Sequence, residues 1–325
     1  MICDGAVLAL TGGVGGAKLA HGLAQVLPAE ALTIVCNTGD DFEHLGLTIC
    51  PDLDSVTYAL AGLEDRERGW GRAGESWQFL NTLRRFTEDA WFQLGDQDLA
   101  LHLWRSDQLR RGRTLSEVTR EVARRLGIGA SIVPMSDQPV HTIVHSDAGT
   151  LSFQEYFVRE RATPRVRHLE YAGADTARAS IAADLLSAQA QPGAIVLCPS
   201  NPWLSIAPIL AIPGWRRALD ASDAPVVGVS PIVSGRALKG PTAKLMSELG
   251  LEVSALGIAQ HYSGVLDGFV IDAADRALQP AVEAMGVRCK ITHSVMGSDA
   301  DRAALARTVD RKSTRLNSSH RTGSR

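Results

Sequence analysis

The first apolar run, Ala6 to Leu10, is short and uninterrupted, as a strand buried on both faces would be. A glycine-rich turn follows, after which Leu19, Leu23, Val26 and Leu27 recur at helical spacing. Leu32 to Cys36 repeats the buried-strand pattern. This order of strand, glycine loop, helix and strand predicts a parallel α/β sheet. Further short strands are expected at Ala194 to Cys198, Pro225 to Val229, Gly268 to Ile271 and Cys289 to Thr292, separated by helical stretches. Thr142 to Val158 alternates around Asp147-Ala148-Gly149 and reads as a β-hairpin.

Residues from about 55 to about 130 differ in character. They carry dense charge, four of the six tryptophans and little strand signal, which predicts a mostly helical insertion over one end of the sheet. Within them Thr114-Leu115-Ser116-Glu117 is a capping-box pattern, Leu115, Val118, Val122 and Leu126 form one face, and Gly127 supplies the stop. Residues 1–310 read as a single α/β domain. Arg311 to Arg325 hold one aliphatic side chain among Ser, Thr, Arg and Asn, and read as a disordered, non-native tail.

The 325-residue chain balances 33 basic against 36 acidic residues, for a net charge of −3, so no broad electrostatic footprint for nucleic acid is expected. Five scattered cysteines without a C-x-x-C pair read as small core hydrophobes in a reducing compartment. No basic segment precedes the first apolar run, and no run approaches the ~18 apolar residues of a membrane span. A cytoplasmic location is expected.

Chemistry should sit after the strands, because ligands bind at the carboxyl edge of open parallel sheets. Four polar loops would meet there: Thr11 to Lys18, Asn37 to Asp41, Pro199 to Pro202, and Ser230 to Gly235. The first fails the Walker A pattern, since Lys18 is preceded by Ala17 and followed by Leu19. It also fails G-x-G-x-x-G from Gly13, whose sixth position is Lys18. Yet Gly12, Gly13, Gly15 and Gly16 would let backbone amides approach an anion at a helix N-terminus, with Lys18 adding charge. A phosphate site is expected.

Asp40, Asp41, Asp52 and Asp54 lie near this site in sequence, and carboxylates beside a phosphate suggest Mg²⁺. Asp54 by itself reads equally well as a helix N-cap. Asp96-Gln97-Asp98 is a second acidic cluster. Ser200-Asn201-Pro202 offers groups for a nucleotide or forms an Asx turn. Ser234-Gly235-Arg236, Lys239 and Lys244 form a basic, glycine-bearing stretch that could grip a diphosphate. The histidines show no metal-site spacing, and no activated nucleophile is visible.

An ordered set of these segments resembles the 2-phospho-L-lactate transferase family, also called phosphoenolpyruvate transferase in bacteria. The set is Thr11 to Lys18, Asn37 to Asp41, Pro51-Asp52-Leu53-Asp54, Leu94-Gly95-Asp96, Pro134 to Asp137, Ser200-Asn201-Pro202, Ser230-Pro231-Ile232, Gly240-Pro241 and Lys244-Leu245-Met246. The resemblance spans roughly residues 5 to 305 and implies a Rossmann-like core with a helical insertion, in a homodimer. It implies transfer of a phosphate-linked three-carbon acid from a guanosine diphosphate-linked donor to the deazaflavin Fo, releasing GMP, in coenzyme F420 biosynthesis. By position it assigns Asp54 to Fo contact and to the metal together with Asp40 or Asp41. Asn37, Asp96 and the position of Gln93 join the substrate set, and Gln93 stands where a basic residue is expected. The glycine loop, Ser200, Asn201, and Ser234 to Lys244 would surround the nucleotide. These three aspartates are the candidate general bases.

The competing reading is a related family of nucleotide-sugar-binding regulators of carbon metabolism and cell shape, with a similar glycine loop. Pro51 to Asp54 and Leu94-Gly95-Asp96 favour the transferase. A nicotinamide oxidoreductase would rest on the glycine loop alone, whose fingerprint fails. Phospholactate, phosphoenolpyruvate and 3-phosphoglycerate remain open as the acid.

Overall fold

A computed structural model describes residues 6–180, 183, 186 and 192–316, with side chains to 310. Seven parallel strands make its central sheet: β1 (Val7–Thr11), β2 (Leu32–Cys36), β3 (Ser131–Pro134), β4 (Ala194–Leu197), β5 (Val226–Val229), β6 (Gly268–Asp272) and β7 (Arg288–Thr292). Their spatial order is β3-β2-β1-β4-β5-β6-β7. That is the doubly wound, Rossmann-like order, which reverses direction between β1 and β4.

Strand side chains alternate between faces, and here each face has its own core. Leu8 and Leu10 of β1 join Ile195, Leu197, Phe269 and Trp215 in one. Val7 and Ala9 join the other, with Leu19 and Leu23 of helix α1 (Gly13–Val26), Leu53 and Val56 of α2 (Pro51–Leu60), and Leu305 and Val309 of the helix Asp299–Leu316. This double burial explains why the strands read as short unbroken apolar runs.

The structure departs from the sequence reading at several points. The edge strand β3 went unread, being four residues long and ending in Pro134. Helix α2 opens the expected insertion but belongs to the core layer, and so does Leu115–Arg125, which packs beside β3. The material laid over the sheet edge is therefore residues 61–113. It contains Gln78–Leu83 (α3) and Asp96–Arg110 (α4). The Thr114 capping box forms as read, with Glu117 N–H donating to Thr114 Oγ1 at 3.2 Å and Thr114 N–H to Glu117 Oε2 at 3.0 Å.

The hairpin His141–Ser146/Gly149–Ser152 also forms, but its second arm stops six residues short of Val158. Glu155–Arg159 instead winds one π-helical turn, and Val166–Ala172 supplies an unforeseen third strand against His141–Ser146. In the tail, helical backbone runs on to Leu316, while residues 317–325 lie outside the described residues. No helix among the described residues is long and apolar enough to cross a membrane.

Candidate active site

The loops after β1 and β4 meet where the sheet order reverses, and hydrogen bonds tie them together. Ser200 Oγ accepts from Gly12 N–H at 3.1 Å and donates to Gly12 C=O at 2.8 Å. Close approach is what the glycines permit. A Cβ on Gly15 would sit 2.7 Å from the Pro199 carbonyl oxygen, and one on Gly16 would collide with Thr11 Oγ1 and Ser200 Oγ. Gly12, Gly13, Val14 and Gly15, at the start of α1, line a cleft of about 960 Å³ that opens here.

Asp52 binds the same helix end. Its carboxylate accepts from Gly13 N–H at 2.6 Å and from Asn37 Nδ2 at 2.9 Å. Asn37 is fully buried and also reaches Leu204 C=O at 3.1 Å, so it clamps Asp52 between two loops. Burial carries the Asp52 carboxyl up to about 6 against these hydrogen bonds. Burial, then repulsion from Asp52 and Asp41, raises Asp40 well above the ordinary carboxylate range. Asp40 Oδ1 is buried without a hydrogen-bond partner. Two crowded, desolvated carboxylates with an unmatched oxygen, beside amides suited to phosphate, fit a hard divalent cation.

A second cluster lies on α2 and α4. Arg105 holds Asp54 through both terminal nitrogens, Nη1 lying 3.1 Å from Oδ2. His102 Nδ1 is 3.7 Å from Asp54, and its Nε2 is 3.2 Å from Asp98 Oδ1. Tyr58 donates its hydroxyl to Asp98. Burial would raise the Asp98 carboxyl, but its hydrogen bond and charge interaction with His102 bring it below the usual range. Ligand atoms of Asp54, Asp98 and His102 lie within 4.8 Å of one another. Arg105 already neutralises Asp54, so this trio fits a cation less well than Asp40 and Asp52 do.

Beside it Trp91 and Phe92 line the cleft, packed edge-to-face at 5.8 Å and backed by Phe42 and His44. Lys18 closes the glycine-loop side, donating to Met296 C=O at 3.1 Å. Its pKa is lowered by burial and then by Arg302 and Lys239.

Residues 7–307 match the family described as 2-phospho-L-lactate transferase CofD. The chain belongs to that family. A phosphoenolpyruvate transferase of Kitasatospora aureofaciens is 41% identical over 310 residues, covering 93% of this chain and 96% of that protein. One from Streptomyces griseus is 40% identical over 307 residues, with the same coverage. A 2-phospho-L-lactate transferase of Methanosarcina acetivorans is 38% identical over 303 residues, covering 93% and 97%. A crystal structure of a UPF0052 family member from Bacillus halodurans superposes with a TM-score of 0.62 at 16% identity, over 94% of this chain and 99% of that one. That likeness establishes the fold alone. Family membership supports the transferase reading over the regulator.

Of the residues expected from sequence, Gly12, Gly13, Gly15 and Lys18 line one cleft wall, and Ser200 and Asn201 adjoin them. Asp40, Asp54 and Gln93 line it further along. Asn201 is an Asx cap, its Oδ1 accepting from Trp203 and Leu204 N–H at 3.0 and 3.1 Å.

The others do not line the cleft. Gly16 is a packing glycine, and Asn37 acts through Asp52. Asp41 faces Cys50 and Arg105, and burial raises it. Asp96 caps α3, accepting from Phe79 N–H at 3.0 Å. Ser234 N–H donates to Asp275, and Lys244 is tied to Tyr156, Pro164 and Glu248.

His102 also lines the cleft and went unread, while Asp98 read only as part of an acidic cluster and Asp52 only as one of four nearby carboxylates. The Asp98–His102 signal was present as an i, i+4 pair on one helix face. Arg105 extends that face one turn inward, where only packing shows its partner.

Proposed function

We propose that this chain transfers a phosphate-linked three-carbon acid from a guanosine diphosphate-linked donor to the terminal hydroxyl of the deazaflavin Fo, releasing GMP, in coenzyme F420 biosynthesis. The observation that carries the reading is one cleft holding both ends of the reaction. It joins a glycine-loop anion site at Gly12 to Lys18 with an aromatic wall at Trp91 and Phe92, and Asp54 lies at the acceptor end.

In this reading the amides of Val14 and Gly15, with Lys18, hold the diphosphate. Trp91 and Phe92 take the flat deazaflavin ring. The Fo hydroxyl oxygen attacks the acid-bearing phosphorus, the phosphorus–oxygen bond to GMP breaks, and Asp54 accepts the hydroxyl proton. Arg105 holds the carboxylate oxygens in place. Displacement at phosphorus depends chiefly on positioning and charge neutralisation, which agrees with a cleft that offers no activated nucleophile. Mg²⁺, held by Asp40 and Asp52, would neutralise diphosphate charge when bound. This assignment replaces Asp41 and Asp54 as metal ligands, because Asp41 does not line the cleft and Asp54 is committed to Arg105.

The test is purified protein with Fo, Mg²⁺ and the guanosine diphosphate-linked forms of phospholactate, phosphoenolpyruvate and 3-phosphoglycerate, each tried separately. A mass-identified Fo adduct appearing with GMP supports the reading and names the acid. A folded protein that yields none from any donor overturns it. Sedimentation of the same sample tests the homodimer that goes with it.

A further inference from the structure

The turn that interrupts the expected hairpin brings two arginines to the cleft. After Glu155–Arg159, Arg161 and Ala162 both adopt left-handed backbone, with φ of 53° and 52°. Side chains with a Cβ rarely take that conformation, and it persists only where the surroundings impose it. π-Helical turns themselves concentrate at functional sites.

The surroundings here are specific. Glu160 N–H donates to Glu155 C=O and Ala162 N–H to Tyr156 C=O, both at 2.8 Å. Tyr156 is buried, and Lys244 Nζ reaches its hydroxyl at 3.3 Å and Pro164 C=O at 2.7 Å. Phe153 and Phe157 stack at 5.4 Å beneath the turn. Lys244 thus braces the turn from outside the cleft, which accounts for a residue that the sequence placed on the nucleotide.

Four Lys or Arg side chains line the cleft among the described residues: Lys18, Lys239, Arg159 and Arg161. Lys18 is spent on Met296 C=O, and Lys239 on Gly69 C=O at 2.8 Å. Arg159 and Arg161 are exposed, and among the described residues neither makes a hydrogen bond or a close ion pair; Arg159 acts on Glu155, one turn back, through charge alone. Their turn begins beside the loop after β2, where Gln154 Nε2 donates to Asp40 C=O at 3.3 Å. Arg159 and Arg161 thus belong to the lining segment that adjoins the Asp40 loop, and not to the glycine loop.

Resting on the proposed transferase reading, we infer that Arg159 and Arg161 bind the carboxylate of the transferred three-carbon acid. A donor of this class has two anionic parts. The diphosphate matches the glycine-loop amides, and the carboxylate matches a guanidinium fork. Without such a partner the acid's charge would lie unmatched near Asp40 and Asp54.

The test is calorimetric binding to the full chain with Mg²⁺. The probes are GDP, guanosine diphosphate-linked 2-phospholactate, and the same donor with its carboxylate converted to a carboxamide. The wild-type chain is expected to prefer the carboxylate donor over the carboxamide by about tenfold or more. The Arg159→Gln/Arg161→Gln variant should lose that preference and keep wild-type affinity for GDP, which also reports that it is folded. A preference that survives in the variant overturns the inference. So does an equal loss of GDP affinity, which would give the arginines to the diphosphate. A wild-type chain that binds GDP but neither donor overturns the parent reading as well.

Discussion

Arg105 grips the Asp54 carboxylate through both terminal nitrogens, with the two side chains 5% and 8% exposed. One comes from α4 of the overlying segment and the other from α2 of the core, so the pair fastens the insertion to the core beside the cleft. Thr48 C=O, 3.5 Å from Arg105 Nη1, is the next contact outward. Charge, and not only packing, holds these two helices together.

Removing either partner leaves a buried charge unmatched, at a cost of about 3–5 kcal/mol. Asp54→Asn and Arg105→Met should therefore each lower stability by about that much and abolish transfer. The double variant should regain much of the stability and none of the activity. Urea unfolding of all four proteins, with transfer rates alongside, gives the coupling. Full stability in Asp54→Asn alone would show that the pair does not fasten the segment.

The Asp52 carboxyl, ordinarily near 3.8, stands at about 6 in the folded chain because burial outweighs its hydrogen bonds. The folded state then binds that proton more tightly than the unfolded state, so ionisation costs stability. The cost grows as pH rises through the window between those values and is complete above it, at about 3 kcal/mol. A cation at Asp40 and Asp52 offsets the cost only where the carboxyl is ionised. Mg²⁺ should raise the melting temperature clearly at pH 7.5 and little at pH 5. Asp40→Asn should lose most of the effect at pH 7.5. Melts with and without Mg²⁺ decide, and an unchanged response in Asp40→Asn would put the cation elsewhere.

Gly15→Ala places a methyl group 2.7 Å from the Pro199 carbonyl oxygen, closer than such contacts tolerate. The β1 and β4 loops must separate, and guanosine nucleotide affinity should fall about tenfold or more, since the loop's amides shift together. GDP titration of the variant checks this. Unchanged affinity would remove the glycine loop from the phosphate site.

Gln93 is exposed at the cleft, where the family resemblance calls for a basic residue. Gln93→Arg should tighten Fo binding without altering GDP affinity. Fluorescence titration of Fo against the wild type measures it, and equal affinities would show that the position does not touch the acceptor.

The sequence by itself determined six of the seven sheet strands and the edge at which their loops meet. Val7–Thr11 and Leu32–Cys36 are buried on both faces, so their apolar runs were readable without knowing their neighbours. Loops that follow such strands must converge on one edge, and Gly12 to Lys18 did. Tertiary structure decided which polar groups reach the cleft. Asp96 and Asp98 are two residues apart in one helix, yet one caps α3 while the other faces the site, a matter of helix rotation against its neighbour. Asp52 and Asp54 likewise share a first turn but bind Gly13 N–H and Arg105 respectively. Arg159 and Arg161 reach the cleft only because buried Tyr156 and its partner Lys244, 88 residues away in the chain, hold an unfavourable turn. Local patterns report burial, which each segment carries in its own composition. Contacts between distant segments carry the direction of a side chain, and no single segment encodes them.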